Sequence, residues 1–289
     1  MSAIVTTLTS LPFSQLRRNR YFYLWYDAAY FVLAVAALAA MHLAGHKGLI
    51  AEWKWSYLLL LPIVTYVQIL CSVFVHVCTH GSFPKAINRL IGEICGTVIL
   101  TRFASWEIVH QRHHRFSDDT AKDPHPVFKS YWDFVRNTIV GVEHQLQQTY
   151  FDLHGDTPET RRYEKLRAYV SYATNLLVIF TWFTFLGPSA FVFLFVPASI
   201  IGALHLFHFN WSTHNAFSPS GDYKPVNLDH GYYWLGNRIW FGIYFHENHH
   251  KNAKVLNPMG ITPCLPITPP PTPGEIEAAA TARSGPLPS

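Results

Sequence analysis

Three groups of histidines decide what chemistry this sequence could perform. The first is His76-Val77-Cys78-Thr79-His80, the second His110-Gln111-Arg112-His113-His114, and the third His246-Glu247-Asn248-His249-His250. Residues three and four apart share one face of a helix, so each group can aim its imidazoles at one point. A lone HxxxH arises easily by chance, whereas two HxxHH motifs in one chain do not. The imidazoles together are too many for a single ion, because zinc is satisfied by about four ligands in a tetrahedron. Imidazole suits iron, copper, zinc and nickel alike, so ligand type leaves the metal open. The number of ligands and the apolar setting favour two irons. Such a pair could use O2 to take hydrogen from an unactivated C–H bond.

The elements that must position these residues are membrane helices. The chain has 289 residues, of which 49% are hydrophobic, 16% aromatic and only 14% charged. Soluble domains carry about 25% charged residues. The net charge of +4 is small, and no Lys/Arg stripe with interleaved aromatics occurs, so no nucleic-acid partner is expected. None of the four cysteines forms a CxxC pair, which leaves neither a zinc ribbon nor a thioredoxin-like motif. The 17 histidines are the compositional outlier.

Apolar runs at about 21–43, 55–77, 168–186 and 189–209 are each long enough to cross the ~30 Å hydrocarbon core as a helix of about 20 residues. A short polar connection from Gly45 to Lys54 joins the first two, and Gly187-Pro188 joins the last two, so the spans are expected as two hairpins. A shorter run, 87–99, carries Arg89 and Glu93 and reads as a buried or interfacial helix. The stretch from Thr101 to Arg167 is polar and histidine-rich. Most of the 22 Lys and Arg lie before the first span, between the second and third, or after the fourth; the first hairpin turn has only Lys47 and Lys54, and the second has none. The positive-inside rule then puts both termini and all three histidine groups on the cytoplasmic side. The expected fold is all-α and polytopic, four transmembrane helices in two hairpins with a cytoplasmic helical cap holding a di-iron site. Residues 1–262 form that domain, and the Pro-rich segment 263–289 is expected to be a flexible tail.

The pattern HxxxH, HxxHH, HxxHH on four spans resembles the membrane fatty acid desaturase superfamily, which also holds hydroxylases and ketolases. The stretch from Trp106 through His110-Gln111-Arg112-His113-His114 to Asp123-Pro124-His125 is similar to that of acyl-CoA Δ9 desaturases, and His76 to His80 followed by Gly81-Ser82-Phe83 resembles the first box of acyl-lipid desaturases. The likeness runs from about Tyr57 to His250. It implies metal ligation by His76, His80, His110, His113, His114, His246, His249 and His250. The Δ9 group also has an Asn-x-x-x-His element, matched here by Asn210-Trp211-Ser212-Thr213-His214; the resemblance makes His214 a ninth ligand and Asn210 the residue that positions a water. His205 and His208, just before, read as core or substrate-channel residues, with ligation as the other reading. Glu107, Asp123 and His125 are candidates to orient the ligands, since a ligating imidazole donates its other N–H to a carboxylate or carbonyl. Two departures bear on substrate and outcome: Val77 stands where relatives often have an acid, and Lys251-Asn252-Ala253-Lys254 follows the last box in place of a Phe-Pro-like turn.

What the resemblance implies is O2-dependent oxidation of a long-chain fatty acyl substrate on two ferrous ions, most simply by introducing a double bond. A hydroxylase, a ketolase and a terminal-alkene-forming decarboxylase share the scaffold. The 289 residues hold no His-Pro-Gly-Gly segment, CxxC pair or GxGxxG, so the electrons are expected from a separate ferredoxin, rubredoxin or cytochrome b5 type carrier. Outside the enzymes, a membrane metal transporter or sensor could also cluster histidines, but its spans would carry polar residues, and the second span has no charge before His76.

Overall fold

The structure, a computed structural model, describes residues 17–117, 122–124, 130–216, 224–262, 264–269, 272 and 274. His125, residues 1–16 and most of the Pro-rich segment lie outside them. Among the described residues the only regular elements are helices, with one isolated bridge between Asn227 and Phe245. Four helices are long and apolar enough to cross a membrane: α1, Phe22–Leu43; α2, Trp55–Thr79; α6, Pro158–Leu186; and α7, Pro188–His214. Between them lie α3, Lys85–Val98; α4, Phe103–Phe116; and α5, Tyr131–His154. After them come α8, Gly231–Ile239, and α9, His246–Lys251. All four expected spans are present. The third begins ten residues earlier than the apolar run, because a Thr157–Thr160 capping box with Pro158 starts α6 well outside the apolar stretch.

Each hairpin packs against the other more than upon itself. α1 lies along α6 and α2 along α7. The two turns meet: the amides of Leu49 and Ile50 donate to the carbonyls of Phe185 and Leu186 at 2.7 and 3.2 Å. Gly48 and Gly187 have φ of +99° and +85°, and a Cβ on Gly48 would stand 2.7 Å from the Gly187 Cα. Only glycine fits both the dihedral and the gap.

α3 runs back beside α2. The Asn88 amide donates to the Cys78 carbonyl at 2.8 Å, and the Gln68 amide to the Val98 carbonyl at 3.2 Å. Both intervals are ten residues, about 15 Å of helix, so α3 returns halfway along the span. It is thus a re-entrant helix packed within the bundle, the buried rather than the interfacial of the two expected placements. The chain then reverses at Leu100, which has φ of +57°, and α4 leads outward again. Gly92 and Gly96 make this possible. A Cβ on either would lie 2.6 Å from the Phe103 ring or the Thr101 carbonyl. At the reversal, buried Arg102 pairs with buried Asp27 of α1 at 3.3 Å and stacks on the Tyr30 ring at 4.3 Å. Non-helical backbone is tolerated at such depth only when protein surrounds it, and here α1, α2 and α6 do so. α4, α5, α8 and α9 gather at the end of the bundle where α2 and α7 finish.

Candidate metal centre

Four elements converge at that end. α2 brings His76 in its last turn and His80 just beyond it. α4 carries His110, His113 and His114. α7 ends in a widened π-type turn, Ser212–Ala216, which holds His214; such turns recur at functional sites. α9 consists almost wholly of the third box. The nine imidazoles come together from residues as far apart in sequence as 76 and 250.

They form two groups. The ring nitrogens of His76, His80, His110 and His249 lie within 4.8 Å of one another, and so do those of His113, His214, His246 and His250. In the first, Nε2 of His76 is 2.9 Å from that of His249, and Nε2 of His80 is 2.8 Å from that of His110. In the second, Nε2 of His214 is 3.1 Å from that of His113 and 2.8 Å from that of His246. His114 stands between the groups, its Nε2 at 3.1 Å from His110 and its ring stacked at 4.1 Å on His250. The boxes therefore do not map one to a group. α4 sends His110 to the first and His113 to the second; α9 sends His249 to the first, and His246 and His250 to the second.

Burial keeps six of these rings neutral. It lowers His80 to about 4 and His114 to about 2, and holds His110, His246, His249 and His250 well below the ordinary imidazole range, with the neighbouring histidines adding to the effect. A neutral imidazole offers one lone pair. Nitrogens that face two others, such as Nε2 of His110, His214 and His246, cannot satisfy all those contacts with single protons. A buried, all-nitrogen donor set of this kind fits two cations of the borderline class that imidazole prefers.

The orienting residues are only partly those expected. Nδ1–H of His113 donates to buried Asp123 at 2.9 Å, which turns Nε2 toward its group. Glu107 does otherwise: its carboxylate pairs with Arg89 and stands 3.9 Å from Arg17. Guanidinium groups outcompete a neutral imidazole for a carboxylate, so Glu107 braces α4 against α3 and bonds no histidine among the described residues. Asn210 is buried one turn before His214, and its amide donates to the Leu206 carbonyl at 2.9 Å. His205 and His208 belong to neither group. His205 lies 4.3 Å from Trp240 and 3.3 Å from the Tyr244 hydroxyl, and His208 stacks on Tyr233.

Two asparagines that no motif singles out secure the third box. Asn227 and Asn248, both wholly buried, exchange two hydrogen bonds of 3.0 and 3.1 Å, and Asn248 also donates to the Pro258 carbonyl at 3.0 Å. Asn248 sits inside HENHH, and a polar residue there that is not a histidine is the signal the sequence offers. Trp106 is likewise unmarked by its spacing; its ring lies parallel to His110 at 5.5 Å.

Two buried tetrads of imidazole, fed by four helices of a membrane bundle, are the mark of a membrane-bound histidine-box protein. Residues 52–256 match the fatty acid desaturase family over well more than half of the chain, and the protein belongs to that family. With four helices long and apolar enough to cross a membrane, it is an integral membrane protein. Among curated proteins it is similar to the sn-1 oleoyl-lipid 12-desaturase of Picosynechococcus sp., 28% identical over 171 residues, which cover 52% of this chain and 48% of that relative. The match thus spans about half the length of the curated relative. No solved structure matches the chain.

Proposed function

We propose that the two tetrads, with His114 between them, hold two irons, and that the protein introduces a double bond into a long fatty acyl chain using O2. The observation that carries this reading is the pairing of two four-nitrogen groups across shared helices. One metal would need only half of the donors, and one purely structural metal would need none of the second set. Two irons bound there would supply the removal of hydrogen from an unactivated C–H bond.

The protein's own residues do the rest. The nine histidines would be the ligands, and Asp123 fixes the tautomer of His113. Asn227 and Asn248 hold α9 so that its three imidazoles face inward, and Asn210 would position a water beside His214. Burial keeps bulk water from the site. Which hydrogen is lost depends on how the chain is held relative to the two groups. Electrons would arrive from a separate carrier of the ferredoxin, rubredoxin or cytochrome b5 type. The distribution of Lys and Arg supports placing this end of the bundle, and both termini, on the cytoplasmic side.

The test is mass spectrometry of lipids and volatiles from cells that make the wild type or His110→Ala. A product two hydrogens lighter than its parent, formed only by the wild type, supports desaturation and gives the bond position. A product one oxygen heavier, or a shortened terminal alkene, keeps the metal reading and replaces the reaction. An equal yield from His110→Ala overturns the cage.

A further inference from the structure

Away from the histidines, the bundle holds a cavity of about 960 Å³ between α1, α3 and α6. None of the nine imidazoles lines it, and α1 lies outside the segment that matches the family. Its mouth faces sideways, where Leu33 and Ile94 are 65% and 56% exposed. Two of its walls are spanning helices, so the open side faces hydrocarbon. The lining follows α1 from Phe22 to Met41, about 29 Å at 1.5 Å per residue, which matches the ~30 Å apolar layer.

Polarity is divided along that length. Through the middle the floor is small and apolar, with Ala34 and Ala37. The hydroxyls of Thr97 and Thr181 are turned onto their own helices, donating to the Glu93 and Leu177 carbonyls, and the Trp182 indole N–H donates to the Thr97 carbonyl. At the end nearer the histidines lies a polar collar. There Asn19, Arg89 and Glu93 line the cavity, and the phenols of Tyr26 and Tyr30 each donate to Glu93 at 2.5 Å. Arg89 also pairs with Glu107, which has Arg17 beside it. Arg89 and Glu93 are the only charged groups among the described lining residues and pair with each other at 2.6 Å, so the collar has hydrogen-bonding groups and no net charge. Trp25, 68% exposed, stands at the same level, as tryptophans do at the membrane interface.

We infer that this groove binds one glycerolipid of zero net charge, with its acyl portion along α1 and its head group at the Asn19–Arg89–Glu93 collar. An unfilled space of this size would forfeit the contacts that packed interiors make, and the surrounding bilayer supplies chains of the right length. The inference rests on the membrane setting alone and stands apart from the proposed reaction. α3 and α4 lie between the groove and the histidines.

The full chain, reconstituted in nanodiscs, is irradiated with a phosphatidylcholine carrying a diazirine in its acyl chain, and the labelled peptides are mapped. Label is expected to concentrate on the facing surfaces of α1, α3 and α6 over the outer faces of α2 and α7. Ala37→Trp, which fills the floor, should lower that label about tenfold, as the removal of about 1.4 kcal/mol of binding would, while label on α2 and α7 persists and shows the bundle intact. An anionic phosphatidylglycerol probe should label the groove less than the zwitterionic one. Label spread evenly over the four spans of the wild type overturns the site, as does undiminished groove label in Ala37→Trp. Preference for the anionic probe, or cross-links that join two copies of the chain, also overturns it.

Discussion

The two histidine groups are alike in number and unlike in support. The first, His76, His80, His110 and His249, leans on α2 and α4, two well-packed helices that continue deep into the bundle. The second, His113, His214, His246 and His250, draws on the widened turn that ends α7 and on a six-residue helix. Helices this short are not stable by themselves, so the second group depends on side-chain ties. Asp123 holds His113, and the Asn227–Asn248 pair holds α9. The lesson is that one histidine group takes its rigidity from the membrane bundle, whereas the other must build it from hydrogen bonds.

That contrast can be broken at several strengths. The strongest test removes one donor from each group. His76→Ala and His214→Ala should both abolish turnover, and iron analysis of the purified proteins should show a loss from two ions toward one in each. Two irons retained in either variant would remove that residue from the cage. Asn248→Ala comes next. It strips α9 of its ties to Asn227 and Pro258, at a cost of about 1–3 kcal/mol for buried groups left unpaired, and because α9 feeds both groups the iron content of both should fall. Thermal unfolding in nanodiscs reads the stability, and iron analysis reads the cage.

Asp123→Asn should act on one side only. Metal affinity of the second group is expected to drop by about 10–100-fold, the usual cost of losing such a partner, with the first group unchanged in a chelator competition. An equal loss from both groups would erase the difference between them. The smallest effect is expected from His205→Phe, which keeps an aromatic ring at a position outside both groups. Iron should stay at the wild-type level, and activity should change by no more than about tenfold, the equivalent of about 1.4 kcal/mol.

Much of this architecture is legible in the amino-acid sequence. The spans announce themselves because hydrocarbon demands an unbroken apolar stretch, and the histidines because their helical spacing serves one point. His214 emerges only through the family resemblance, since a single histidine carries no spacing of its own. The distribution of the boxes between two groups is not legible, because it depends on how α4 and α9 rotate against each other. Nor is the path of α3. Its Arg89 and Glu93 look like surface charges in sequence, yet they meet Glu107, Tyr26 and Tyr30 from other helices. Glu107 misleads for the same reason: its position one turn before His110 is local, and the arginines that claim it are not. Pairings between distant elements leave no periodic trace.

The meeting of the two hairpin turns has a consequence for how the protein is made. Chains fold in the order they are synthesised, and the amides of Leu49 and Ile50 must wait for carbonyls that are produced more than a hundred residues later. The first hairpin can enter the bilayer alone, but its turn stays unlatched until the second arrives on the far side. Gly48 and Gly187 are therefore a late clasp. A ribosome that stops after α5 would leave a threaded but open molecule, ready for quality control to recognise.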